Sequence, residues 1–168
     1  EILAPSRGEL DLSEPSSISD YIRSHAKERI DTIVNNAGVN KVSALESATM
    51  GDFEETLQIN LKAPFHLVQG FMPGMKDRNY GRIVNIGSIW SVISKCGRVT
   101  YTASKTAVVG MTRTMAIELA PYGILANAVC PGFVDTELTR KNLGPQELKD
   151  IEKMIPLGRL ANPAEIAE

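Results

Sequence analysis

Short apolar runs alternate with longer stretches of helical periodicity along this chain. "DTIVNNAG" (31–38), "GRIVNIGS" (81–88) and "GILANAVCPG" (123–132) are rich in β-branched residues and close on Gly, Asn or Pro, which predicts three strands. Between them, Met50–Met75 and Tyr101–Ala120 carry apolar residues at helical spacing. The order is βαβαβ. Strands apolar on both faces and joined by helices predict a parallel sheet covered on both sides, a doubly wound α/β fold. Ligands of such sheets sit outside the carboxyl ends of the strands. The residues to inspect are therefore Asn35–Gly38, Ser88 and Pro131–Thr136.

Composition fits this picture and removes other classes. With 168 residues, 43% hydrophobic and 23% charged, the chain is expected to form a single soluble domain over 1–168 with a sizeable core. A net charge of −2 argues against a nucleic-acid partner, which needs a basic stripe. No apolar run approaches a membrane span, so no membrane partner is expected. Cys96 and Cys130 make neither a metal-ligand spacing nor a disulfide framework, which fits a reducing, cytoplasmic setting. His25 and His66 stand apart from any motif and are read as non-catalytic, and no metal site is expected.

"YTASK" (101–105) stands out inside an otherwise small-residue helix. Tyr101 and Lys105, one helical turn apart, share a face and can bring their polar tips together. A nearby ammonium favours phenolate and would draw the Tyr pKa down from about 10, as a general acid near neutral pH requires. Alone, the pair equally fits a snorkelling surface pair. Asn60, in "ETLQINLKAPF", is unfavourable inside a helix and could simply end one, and Ser88 could be an ordinary strand-end serine.

Taken together, "NNAG" (35–38), "IN" ending at Asn60, Ser88, "YTASK" and "PGFVDTEL" (131–138) resemble the short-chain dehydrogenase/reductase family over nearly the whole chain. The pattern looks closest to the 3-oxoacyl-carrier-protein reductase type. The resemblance implies a Rossmann-type sheet and NAD(P)-dependent interconversion of a carbonyl and an alcohol. It assigns Tyr101 as general acid/base, Ser88 as holder of the carbonyl oxygen, Lys105 as partner of Tyr101 and of the nicotinamide ribose, and Asn60 as holder of a proton-relay water. Asn35, Ala37 and Gly38 are placed along the adenosine, with Asn35 also steadying the sheet. Asp11 and Leu12 are placed near the adenine. Pro131, Gly132, Val134 and Thr136 would line the nicotinamide side. Ser88, Ile89, Trp90, Ile93 and Phe133 would line a partly apolar substrate pocket. Arg7, after an expected strand at Ile2–Ala4, occupies the place from which the family binds a 2′-phosphate, so NADP(H) is expected over NAD(H). Helix pairing in relatives implies a homodimer or homotetramer. The charged stretch "RKNLGPQELKDIEKMIPLGR" is expected to be a lid loop, with solvated helix as the alternative for part of it.

The two ends depart from the family pattern. No glycine-rich turn precedes the first helix, and the chain stops at "NPAEIAE" where relatives continue. The expectation is a sheet lacking its first strand, the glycine-rich loop and its last strand. A polypeptide of these residues alone would then bind NADPH weakly or not at all and show no measurable reductase activity, because pyrophosphate rests on that missing helix N-terminus. The alternative is a short non-catalytic relative acting as a binding or subunit-pairing module.

Overall fold

The computed structural model describes residues 2–168, which divide into two compact units, 2–129 and 130–168. The first unit is built on a parallel three-stranded sheet. In it, β1 (Thr32–Asn35), β2 (Gly81–Ile86) and β3 (Ile124–Val129) lie side by side in chain order. Each strand falls inside the apolar run that predicts it. Register sets Ile33 beside Ile83 and Asn35 beside Asn85, and it sets Ile83 beside Ala126.

The crossovers are helical. After a 3-10 turn at Leu45–Ser47, α2 (Met50–Leu57) is capped by Thr49, whose hydroxyl accepts from Asp52 N at 3.0 Å. A π turn at Gln58–Lys62 separates α2 from α3 (Ala63–Asp77). The single helix expected over Met50–Met75 is thus interrupted at Asn60, as that residue's poor helix propensity foretells. The second crossover is α4 (Val99–Leu119), which follows a 3-10 turn at Ile89–Ser91 and is followed by another at Ala120–Tyr122.

Both crossovers step the same way along the sheet, and right-handed connections then place both helices on one face. The core shows this directly. Ile33, Ile83, Ile124 and Ala126 pack with Val68 and Met75 of α3 and with Met115 and Leu119 of α4. A smaller cluster of Ile18, Ala63 and Leu67 fixes α1 (Pro15–Ser24) against α3. On the opposite face Val34 and Leu125 are 58% and 50% exposed, so these helices cover one face of the sheet rather than two.

Ile2–Ala4 is not a strand. A strand exists only through its ladder, and this segment pairs with none among the described residues; Ile2 is 90% exposed.

In the second unit, α5 (Glu137–Asn142), α6 (Pro145–Met154) and α7 (Ala164–Ala167) follow an isolated parallel bridge between Val134 and Ala161. Helices α5 and α6 occupy much of the stretch expected as a loop. Pro145 begins α6 at a position where its missing N–H costs nothing. Among the described residues, no helix is long and apolar enough to cross a membrane.

Candidate active site

Polar side chains gather at the carboxyl ends of β1 and β2, where an open parallel sheet exposes its strand tips. Asn60 is central and 1% exposed. From the π turn its amide grips the backbone of Val39 twice: Oδ1 accepts from Val39 N at 2.8 Å, and Nδ2 donates to Val39 O at 2.9 Å. Nδ2 also donates to Ser104 Oγ at 3.0 Å, and Ser104 Oγ donates to Tyr101 O at 2.8 Å. The widened turn therefore links the segment after β1 to the first turns of α4. Such turns recur where a helix must present a group that regular geometry would hide.

Lys105 is 4% exposed, and its Nζ donates to Ile86 O at the end of β2, at 2.6 Å. The same Nζ lies 5.7 Å from the Tyr101 ring centroid, so the helical spacing does bring the two groups together. A Cβ added at Gly38 would stand 3.2 Å from Asn60 Oδ1 and 3.6 Å from Lys105 Nζ. Glycine keeps that approach open.

Ser88 caps the 3-10 turn after β2. Its Oγ accepts from Trp90 N at 3.3 Å, and Ser91 Oγ in return accepts from Ser88 N at 3.3 Å. Ser91 Oγ donates to Lys105 O at 3.0 Å, which ties the Ser88 turn to α4. The Ser88 side chain also hydrogen-bonds Tyr101.

Burial pushes the Tyr101 phenol above its ordinary range near 10, while the Ser88 hydrogen bond and the Arg98 charge pull it down without overcoming that effect. This corrects the expectation of a depressed Tyr101. The sign for stability follows: a folded pKa above the unfolded one supports the fold fully below about pH 10 and withdraws that support as pH rises through the folded value. We expect the tyrosinate absorbance difference between wild type and Y101F, without cofactor, to titrate above that reference. A midpoint below it would contradict this burial.

A second network, less evident in the sequence, braces the scaffold. Asn35 Nδ2 donates to Asn85 Oδ1 at 2.8 Å, Asn85 Nδ2 to Thr112 Oγ1 at 2.9 Å, and Thr112 Oγ1 to Val108 O at 2.7 Å. Asn85 is fully buried. Asn35 thus steadies the sheet through a partner whose only sequence signal is one amide in the apolar run "GRIVNIGS".

Arg7, Asp11, Leu12, Asn35, Ala37 and Gly38 line one open groove beside β1. Arg7 is largely exposed and pairs with Asp11 at 3.2 Å. The Asp11 carboxylate is also held by Ser13, whose N and Oγ donate at 2.9 and 2.6 Å and keep it below the usual carboxylate range. Trp90 sits on the turn after Ser88, and Ile93, just beyond it, is 52% exposed. Pro131, Gly132, Phe133, Val134 and Thr136 belong to the second unit. There Phe133 O accepts from Ala161 N at 2.9 Å, and Thr136 caps α5 by accepting from Thr139 N at 3.2 Å.

The family model for short chain dehydrogenases matches residues 8–147. The chain belongs to the short-chain dehydrogenase family. Among curated members of this family, the 3-oxoacyl-acyl-carrier-protein reductase of Vibrio cholerae is 33% identical over 160 residues, covering 94% of this chain and 65% of that protein. The enzyme of the same name from Thermotoga maritima is 39% identical over 141 residues, covering 83% and 56%. Of solved family structures, a putative NAD(P)-dependent gluconate 5-dehydrogenase from Beutenbergia cavernae, with bound NADP at low occupancy, superposes with a TM-score of 0.89 at 35% identity, covering 93% of this chain and 64% of that one. A gluconate 5-dehydrogenase from Burkholderia cenocepacia in complex with NADP and tartrate gives 0.87 at 30% identity, covering 94% and 63%. The chain thus spans between about half and two thirds of the length of the short-chain dehydrogenases it matches.

Proposed function

We propose that the protein interconverts a carbonyl and an alcohol with a nicotinamide dinucleotide, Tyr101 serving as general acid/base. The observation that carries this reading is the convergence of Ser88, Tyr101, Lys105 and Asn60 at the strand tips of a Rossmann-type sheet. A binding module has no need of all of them, so the intact set favours an enzyme.

The residues present fit the dinucleotide. Gly38 leaves the approach to Lys105 unobstructed, and the groove beside β1 is lined by Asp11, Leu12, Asn35, Ala37 and Gly38, which would hold the adenosine half. Pro131, Gly132, Val134 and Thr136 would hold the nicotinamide half, as in the family pattern. When bound, the reduced nicotinamide supplies hydride to the carbonyl carbon. Tyr101 then delivers its proton to the carbonyl oxygen, which the Ser88 hydroxyl holds where negative charge develops. Lys105, whose ammonium is held at the end of β2 by Ile86 O, would hold the ribose. Asn60 holds a relay water that returns a proton towards Lys105. Trp90 and Ile93, beyond the Ser88 turn, would line the substrate side, and the family pattern adds Phe133.

Arg7 favours NADP(H), because its guanidinium reaches the groove from an exposed position and suits phosphate oxygens. Assaying carbonyl-dependent oxidation of NADPH and NADH by the complete enzyme tests both points. Wild type is expected to prefer NADPH, and R7E should reduce that preference by roughly tenfold or more. A wild-type preference for NADH would overturn the Arg7 assignment, and no carbonyl-dependent oxidation of either would overturn the activity.

Self-association as a homodimer or homotetramer belongs to the same proposal. Phe65 of α3 and Ile117 of α4 are 48% and 76% exposed on the helices that relatives pair. A small-molecule substrate and a cytoplasmic setting complete it.

A further inference from the structure

Arg98 is a buried cation that stacks over the Trp90 ring yet leaves two of its nitrogens without a hydrogen bond. It is 4% exposed, and its Nε and Nη1 make no hydrogen bond among the described residues. Arginine cannot relieve this by losing its proton, and a buried charge left unpaired is costly. Native structures rarely leave such donors without a partner, whether protein, ordered water or a bound ligand. Nothing in the sequence marked it.

Its position says what would use it. Arg98 is the residue at which the 21-residue helix α4 begins, where free backbone N–H groups and the helix dipole also favour an anion. Thr100, in the same turn, is 2% exposed, and its Oγ1 is likewise unpartnered. One turn further on is Tyr101, whose phenol feels the Arg98 charge. The guanidinium carbon lies 6.0 Å from the centroid of the Trp90 ring, on the turn that Ser88 caps. The unused donors therefore belong to the junction of the Trp90 turn and the start of α4, close enough to Tyr101 for their charge to act on it, and Arg98 is not among the residues lining the groove that suits adenosine.

We propose that Arg98 binds an anionic oxygen, of a carboxylate or a phosphate, carried by the carbonyl substrate, and so selects acidic carbonyl compounds over neutral ones. This rests on the oxidoreductase reading for the word substrate, but the binding itself is testable without turnover. A guanidinium suits both oxyanions, and a charge-assisted hydrogen bond in a buried setting outweighs a neutral one.

Trp90 is the only tryptophan in the chain and so reports on its own surroundings. Its fluorescence should be titrated at constant ionic strength with acetoacetate against methyl acetoacetate, and with dihydroxyacetone phosphate against dihydroxyacetone. In the wild type, the anionic member of at least one pair is expected to bind about tenfold or more tightly than its neutral partner. The pair that shows the preference identifies the oxyanion. R98Q should abolish the preference, and R98K should keep part of it. Equal affinities within both pairs in the wild type would overturn the proposal whether or not R98Q folds, and so would a preference that survives in a folded R98Q. Because no chemistry is read, failure of Tyr101 as the acid would leave this result standing, and the converse also holds.

Discussion

Replacing Tyr101 with Phe in the complete enzyme is expected to lower turnover by about 10²–10⁴-fold, the range that a positioned general acid contributes, while leaving the fold intact. The change removes one hydroxyl and retains the ring. In the protein that hydroxyl is held by Ser88, on a side chain that α4 and the Asn60–Ser104 contact fix in place. The ring stays against Lys105, so the loss falls on the chemical step. Steady-state kinetics with the preferred cofactor should show reduced kcat with little change in KM for the dinucleotide, and the thermal midpoint should stay near wild type. Near-normal turnover in Y101F would remove Tyr101 from the mechanism.

Lys105→Met is expected to have the next largest effect, about a hundredfold or more on turnover, because a misplaced reactant alone costs that much. Methionine keeps most of the buried stem and removes the ammonium. Two opposing terms decide what happens to stability. The variant loses the hydrogen bond to Ile86 O, worth about 1.5–3 kcal/mol for a charged donor, and it no longer buries an ammonium, which costs several kcal/mol. These nearly cancel, so the thermal midpoint should move little while cofactor affinity and turnover both fall. A variant that binds the dinucleotide normally and turns over at the wild-type rate would exclude the role given to Lys105.

Much of the scaffold was legible because strands and helices differ in period. "GRIVNIGS" and "GILANAVCPG" contain β2 and β3, and the Asn60 anomaly marks the π turn. The meeting of Tyr101 and Lys105 followed from helical spacing. What failed to show depends on three-dimensional surroundings. The direction of the Tyr101 shift turns on burial, which a motif does not state. Ile2–Ala4 has strand-like residues, but a ladder needs a partner. The one-sided placement of α3 and α4 follows from crossover handedness, which periodicity alone does not encode. Nothing in "KCGRVT" sets Arg98 apart, and only the packing around it shows guanidinium nitrogens buried without a hydrogen bond.

The central claim is that the Ser88–Tyr101–Lys105 cluster protonates a carbonyl oxygen as hydride arrives from a nicotinamide. The most direct test supplies the protein with reduced nicotinamide dinucleotide deuterated at the transferred position, together with a panel of carbonyl compounds, and reads the products by mass spectrometry. The account predicts an alcohol carrying deuterium on the former carbonyl carbon, formed by wild type and nearly lost in Y101F. An unlabelled alcohol, or label transfer that persists at the wild-type rate in Y101F, would contradict it.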